Sequence, residues 1–183
     1  MTETLLFFRQ LISRPLQISA IAPSSRFLAR AMAKDVGPKT GQVVEFGPGT
    51  GRLTEAILNA GVAPDNLTLF EMNPEFVAHL RSRFPGVTVH LAGAETARQV
   101  VANGAGAVVS GLPLLSMPIT LRQSIVAAAF DILAPDGIYV QFTYGPRPAL
   151  DNGQIESLGL TWAQTAYVAL NLPPARVHTF RRG

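Results

Sequence analysis

The stretch Val43-Val44-Glu45-Phe46-Gly47-Pro48-Gly49-Thr50-Gly51 decides the reading of this 183-residue chain. A short strand-forming run enters a turn with glycine at alternate positions, and residues 52–59 beyond it have helical periodicity. Glycines in such a strand-to-helix turn let backbone N–H groups approach a ligand closely, and the carboxyl edge of the sheet supplies the crevice. The spacing is G-x-G-x-G, with Arg52 where a dinucleotide fingerprint needs Gly or Ala, which disfavours NAD and FAD. Glu71 stands twenty residues after Gly51, at the end of the next predicted strand. A carboxylate there can accept hydrogen bonds from both hydroxyls of a ribose.

Outward from this turn the pattern alternates. Strands are predicted at 43–46, 67–70, 87–91, 107–110 and 138–143, with helices at 52–59, 74–83, 96–102 and 118–133 between them. This order predicts an α/β fold, a mostly parallel sheet covered on both faces. Strands at 161–169 and 176–180 have no helix between them, so they predict an antiparallel pair around Asn171-Leu172-Pro173-Pro174. The uncharged run 99–121 is broken by glycines and prolines and reads as a buried strand leaving into a loop, not a membrane span. No signal peptide is expected, because Glu3, Arg9 and the Arg14-Pro15 pair interrupt the N-terminal apolar stretch.

Hydrophobic residues make up 48% of the chain, enough for a sizeable core. The absence of cysteine excludes disulfides, thiolate zinc sites and cysteine nucleophiles. His79, His90 and His178 fall on one helix and two strands and read as structural, so no metal is expected. The net charge of +3 is unevenly placed: residues 1–40 carry six cations and two anions, residues 41–183 nine cations and ten anions. A basic arm on a near-neutral body points to an anionic partner. Residues 3–14 predict a short amphipathic helix with Leu5, Phe8 and Ile12 on one face, too short to cross a bilayer but suited to lie in its interface. A second helix, capped by Ser24 or Ser25 and running to about 35, places Arg26, Arg30 and Lys34 on one stripe. With Arg9 and Arg14 these are the candidate contacts to an anionic membrane surface. The chain therefore divides into a helical membrane- and substrate-binding arm, 1–40, and a cofactor-binding body, 41–183.

The glycine turn together with Glu71 resembles the first motif of class I S-adenosylmethionine-dependent methyltransferases. The resemblance implies a Rossmann-like, mostly parallel seven-stranded sheet with an antiparallel C-terminal strand. It also implies S-adenosylmethionine as cofactor and S-adenosylhomocysteine as product. Carried over, Gly47, Gly49 and Gly51 line the cofactor, Glu71 holds the ribose, Glu45 lies near the methionine amino group, and Met72 and Asn73 flank the adenine. Where the family often has Gly-Asp after the third strand this chain has Gly93-Ala94-Glu95, leaving either Glu95 or a backbone group for the adenine amine. Ser110, at the end of the fourth strand, stands between cofactor and acceptor.

Ribosomal RNA adenine dimethyltransferases carry Asn-Leu-Pro-Tyr at that strand end. Here the residues are Ser110-Gly111-Leu112-Pro113, with neither the amide nor the stacking ring that an adenine needs, so no nucleic-acid partner is expected. Asn171-Leu172-Pro173-Pro174 looks like such a motif but lies in the C-terminal hairpin and reads as a turn. Across residues 14–177 the layout is similar to the bacterial soluble phospholipid N-methyltransferases. Beside the glycine turn, the leader from Arg14, the run 71–76, Ser110–Pro113, Gln141-Phe142-Thr143-Tyr144 and the run 172–177 carry that likeness. It implies successive methylation of the amine of phosphatidylethanolamine toward phosphatidylcholine, by a protein peripheral on the inner face of the cytoplasmic membrane. Tyr144 and the Ser110 carbonyl are the groups expected to orient the amine. An RNA adenine or small-molecule N-methyltransferase, and a membrane-surface cofactor-binding protein without turnover, are the competing readings.

Overall fold

A computed structural model describes residues 25–183. The helix predicted at 3–14, with Leu5, Phe8, Arg9, Ile12 and Arg14, lies outside the described residues. The elements are α1 (Arg26–Met32), β1 (Val43–Phe46), α2 (Arg52–Asn59), β2 (Leu67–Glu71), α3 (Pro74–Arg83), β3 (Thr88–Leu91), β4 (Ala105–Ser110), α4 (Ile119–Ile132), β5 (Leu133–Thr143), α5 (Asn152–Ser157), β6 (Leu160–Val168) and β7 (Ala175–Arg182). The sheet runs β3-β2-β1-β4-β5-β7-β6. β1 to β5 pair in parallel, and β7 lies antiparallel between β5 and β6. The chain winds from β1 to β2 on one side and returns to β4 on the other. That reversal opens a crevice beyond the carboxyl ends of β1 and β4.

The central strands are buried on both faces, which is why they read as nearly unbroken apolar runs. Val44, Phe46, Val108 and Tyr139 face one layer with Ile125 and Ala129 of α4. Val43, Val109 and Val140 face the other, with Leu53 and Ile57 of α2 and Leu80 of α3. Leu28, Ala29 and Met32 of α1 and the following Ala33 and Val36 join this second layer, so the described part of the 1–40 arm is built into the body. Ser25 caps α1, its Oγ accepting the Leu28 N–H at 3.2 Å.

Four elements differ from the sequence expectation. The helix predicted at 96–102 is a 3-10 segment, Ala94–Gln99, in which the Thr96 N–H and hydroxyl both donate to the Gly93 carbonyl, at 3.1 and 2.7 Å. β5 begins at Leu133 and carries Pro135-Asp136-Gly137 inside it, and its register against β4 shifts between Ala105 and Ala107. α5 has no counterpart among the predicted helices. Its six residues are held by a capping box in which Asp151 Oδ1 accepts the Gln154 N–H and Gln154 Oε1 accepts the Asp151 N–H. α1 also ends at Met32, which leaves Lys34 beyond it, its Nζ donating to the Thr165 carbonyl at 2.7 Å.

β4 is seated against the chain that leads into β1. The Gly106 N–H donates to the Gln42 carbonyl at 2.9 Å, and a Cβ at Gly106 would overlap the Thr40 carbonyl oxygen. Gly106→Ala is expected to destabilise the protein by about 1–3 kcal/mol, read as a lowered urea midpoint at unchanged slope. An unchanged midpoint would contradict this seating of the sheet.

Candidate active site

The crevice is built where β1 and β4 end. The Gly111 N–H donates to the Phe46 carbonyl at 2.8 Å, so the two outgoing turns run side by side. Gly47 has φ 69°, and a side chain there would strike Leu112. Gly49 has φ 54°, and no atom lies within 4 Å of the point where a Cβ would stand, so the turn offers open space there. Gly51 is the N-cap of α2.

Three glutamates stand at or just beyond the ends of β1, β2 and β3. Glu45 is fully buried at the end of β1: its Oε2 accepts the Thr54 hydroxyl at 2.7 Å, while Oε1 has no partner. Burial pushes its carboxyl up to about 8; the Thr54 hydrogen bond opposes this and the Glu71 charge adds to it. Glu71, at the end of β2, reaches across to the turn. Its Oε2 accepts the Gly49 N–H at 3.1 Å, and Oε1 accepts the Met72 and Asn73 N–H groups at 2.9 and 2.8 Å. Asn73 caps α3 through the Glu75 N–H, and Met72 packs on the core layer that contains Phe46. Glu95 folds back over Gly93 with Oε2 buried and without a partner. The ion pairs among the described residues, Arg83–Glu55 and Arg98–Asp131, leave all three glutamates out. This half of the edge is suited to a ligand that carries positive charge and hydroxyl donors.

The other half is apolar. Ser110 is buried and accepts the Leu112 N–H at 3.4 Å. Across the sheet it pairs with Gln141, a residue that belongs to a sequence motif but carries no role from the sequence alone. Gln141 is fully buried; its Nε2 donates to the Leu112 carbonyl at 2.9 Å and to the Phe142 carbonyl at 3.1 Å, and its Oε1 accepts the Tyr139 hydroxyl at 2.8 Å. This amide fixes the Ser110–Pro113 turn. A lone amide inside the apolar run of β5 is the signal that could have found it.

Between that turn and the end of β5 lies a cavity of about 220 Å³ lined by Pro113, Leu114, Leu115, Phe142 and Tyr144. The Tyr144 ring packs edge-on against Phe142 at 5.2 Å, and its hydroxyl is buried without a hydrogen-bond partner. Burial pushes its pKa up, an effect that the nearby Asn171 side chain partly offsets. Asn171 sits in the expected turn between β6 and β7. Its Oδ1 accepts the Ser25 N–H at 3.2 Å and its Nδ2 donates to the Pro173 carbonyl at 2.7 Å. The hairpin turn is thereby tied to the start of α1.

Arg26 and Arg30 are elsewhere. With Lys34, Arg52 and Arg83 they line a larger groove of about 1220 Å³ between α1, α2 and α3, which includes none of the three glutamates, Ser110 or Tyr144. His79 lies in the same groove, His90 stacks on Phe70 at 5.1 Å, and His178 is buried in β7.

Glu45 gives the site a pH signature. In the folded chain it holds its proton up to about pH 8, whereas an ordinary glutamate releases it near 4.5. The folded state therefore binds the extra proton between these values, and stability falls as pH rises through the window. Glu45→Gln should flatten this dependence, a difference on the order of a few kcal/mol between the ends of the window in chemical denaturation. A variant with the wild-type slope would contradict the assignment. Glu71→Ala is expected to weaken binding of a ribose-bearing cofactor at least roughly tenfold by calorimetry, the loss of one charged hydrogen-bonding group; unchanged affinity would remove Glu71 from the site.

No family model matches the chain. It is 31% identical over 155 residues to the ornithine lipid N-methyltransferase of Singulisphaera acidiphila, with 80% of each chain covered. Among solved structures it resembles the 1,6-didemethyltoxoflavin-N1-methyltransferase of Burkholderia thailandensis with bound S-adenosylhomocysteine (TM-score 0.74, 14% identity, 98% of this chain and 88% of that one). It also resembles a TehB-like SAM-dependent methyltransferase of Corynebacterium glutamicum (TM-score 0.66, 16% identity, 95% and 97%). At such identities the solved structures bear on the fold alone, and both share the one described above.

Proposed function

Because the chain belongs to the family of the Singulisphaera ornithine lipid N-methyltransferase and is an S-adenosylmethionine-dependent methyltransferase, we propose that it methylates the primary amine of a membrane lipid. The observation that supports this most is the division of one sheet edge. An acidic half, with the unpartnered Glu45 Oε1, abuts an apolar cavity lined by Tyr144, whose buried hydroxyl has no hydrogen-bond partner.

The residues of the acidic half fit the cofactor. The buried Glu45 oxygen suits an ammonium, Glu71 retains lone pairs for ribose hydroxyls, and the open space at Gly49 admits the ligand against the backbone. Glu95 Oε2 is a free acceptor for an adenine amine. When bound, S-adenosylmethionine supplies an electrophilic methyl group on a sulfonium. The chain's own task is to present a neutral nitrogen. A free alkylammonium has a pKa near ~10.4 by analogy with lysine, and a dry cavity lowers it. The Tyr144 hydroxyl then accepts an N–H of the amine and aims its lone pair, and the ring face can hold a methylated ammonium. Gln141, through the Leu112 carbonyl, keeps the opposite wall of the cavity in place.

Two lipids share the required chemistry of a primary amine close to an anionic group. The curated relative favours ornithine lipid. The likeness of Ser110–Pro113 and of residues 141–144 to phospholipid N-methyltransferases favours phosphatidylethanolamine, with repeated transfer leading to phosphatidylcholine. Reaction at the inner face of the cytoplasmic membrane, with the leader residues Leu5, Phe8, Ile12, Arg9 and Arg14 on the lipid, belongs to the same proposal.

Protein incubated with methyl-labelled S-adenosylmethionine should label ornithine lipid or phosphatidylethanolamine in vesicles and leave free ornithine and ethanolamine unlabelled. Label in the soluble amines alone would overturn the proposal. Tyr144→Phe should lower kcat about tenfold or more at unchanged cofactor affinity, the cost of one lost hydrogen bond to the reacting amine. Wild-type turnover would take Tyr144 out of the mechanism.

A further inference from the structure

The acceptor half of the carboxyl edge is made by three connections: residues 111–118 after β4, 144–151 after β5 and 169–174 between β6 and β7. Thr143 at the end of β5 pairs with Arg176 at the start of β7, which puts the β6–β7 turn on this edge. Their composition is unlike that of the cofactor half. With Arg176 included they carry two cations, Arg147 and Arg176, and one acid, Asp151, whose carboxylate is engaged in the α5 capping box, and they are rich in leucine and proline. Several of the leucines point outward. Leu172 is 84% exposed, Leu170 72% and Leu115 53%. Single exposed leucines are ordinary on protein surfaces, but three on neighbouring connections at one edge of a sheet are not. Leu115 itself lines that cavity.

The turn that carries Leu170 and Leu172 is held from within. Asn171, between them, is buried and bonded to the Ser25 N–H and the Pro173 carbonyl. Arg176 is held over the Tyr167 ring at 5.0 Å, with Nη1 donating to the Gly145 carbonyl at 3.4 Å. A fixed turn thus presents two leucines outward with a cation at its base, next to the mouth through which an acceptor must enter.

We infer that these connections form a docking rim that seats on an anionic bilayer, with Leu115, Leu170 and Leu172 below the headgroups and Arg147 and Arg176 at their level. This inference takes its partner from the lipid-amine reading and adds to it a second membrane contact, separate from the predicted leader helix. Charge favours it: the rim has two cations against one acid, Asp151, which is held in a helix cap, while the three site glutamates stay on the cofactor half. Geometry favours it as well, because a lipid then enters the cavity headgroup first without leaving the bilayer.

The full-length protein with Leu172→Trp is mixed with phosphatidylglycerol–phosphatidylcholine vesicles whose acyl chains carry bromine, a collisional quencher. The native Trp162 is an internal reference. It is 43% exposed but roughly 20 Å along β6 from the turn, at about 3.3 Å per residue. Extra quenching of the Leu172→Trp protein over wild type, by about half of the added signal, is expected. Absence of extra quenching, whether or not the protein pellets with the vesicles, overturns the inference. A Leu170→Glu/Leu172→Glu variant should partition onto the same vesicles about tenfold more weakly while binding S-adenosylmethionine with wild-type affinity, which reports an intact fold. Unchanged partition, or loss of a dimer in sedimentation in place of vesicle binding, also overturns it. Neither readout depends on methyl transfer, so a chain that is quenched but methylates no lipid would refute the function and leave the rim standing.

Discussion

The backbone contact between the ends of β1 and β4 organises everything functional in this chain. The hydrogen bond from the Gly111 N–H to the Phe46 carbonyl, and the absence of a side chain at Gly47 where Leu112 presses in, bring two turns together that are more than sixty residues apart in sequence. One turn leads to the glutamates and the other to the acceptor cavity. A Cβ at Gly111 would sit 2.9 Å from the Gly47 carbonyl oxygen, so neither glycine can be replaced without prising the two halves apart. Methyl transfer demands such proximity, because donor and acceptor must meet in line.

The two halves then differ in the physical problem they solve. The cofactor half holds acidic groups away from water, and two of them have an oxygen with no partner. That arrangement costs stability in the free protein and is relieved by a cationic, hydroxyl-bearing ligand. The acceptor cavity has no charged residue in its lining, and Tyr144 beside it has one unpartnered hydroxyl, which suits a nitrogen that must shed its proton before it reacts. The buried chain from Tyr139 to Gln141 to the Leu112 carbonyl joins the sheet interior to the cavity wall and gives the turn a fixed shape.

Much of this was legible in the sequence because the central strands are buried on both faces and their apolar runs are bounded by glycine and proline. β1, α2 and α3 lie at the predicted residues, and the antiparallel C-terminal pair follows from the missing crossover helix. The misses have local causes. α5 is a six-residue helix too short for any periodicity, although Asp151 and Gln154 spelled its capping box. The start of β5 was hidden by Pro135 and Gly137, which a strand tolerates at a register shift. At the site, the glutamates and glycines announced themselves by spacing. Gln141 did not, since its role depends on a pairing with Ser110 that only the sheet register creates. Asn171 likewise read correctly as part of a turn, but its position beside Tyr144 and Ser25 is a matter of tertiary packing.

In the proposed reaction the lipid headgroup enters the crevice on the β4–β5 side. The most direct measurement is photo-crosslinking with a vesicle-borne amino lipid that carries a diazirine in its headgroup, followed by peptide mapping of the adducts in the presence of S-adenosylhomocysteine. Adducts are expected in residues 110–117 and 142–145. Adducts confined to the basic groove of Arg26, Arg30 and Arg52, with none on the β4–β5 side, would contradict it.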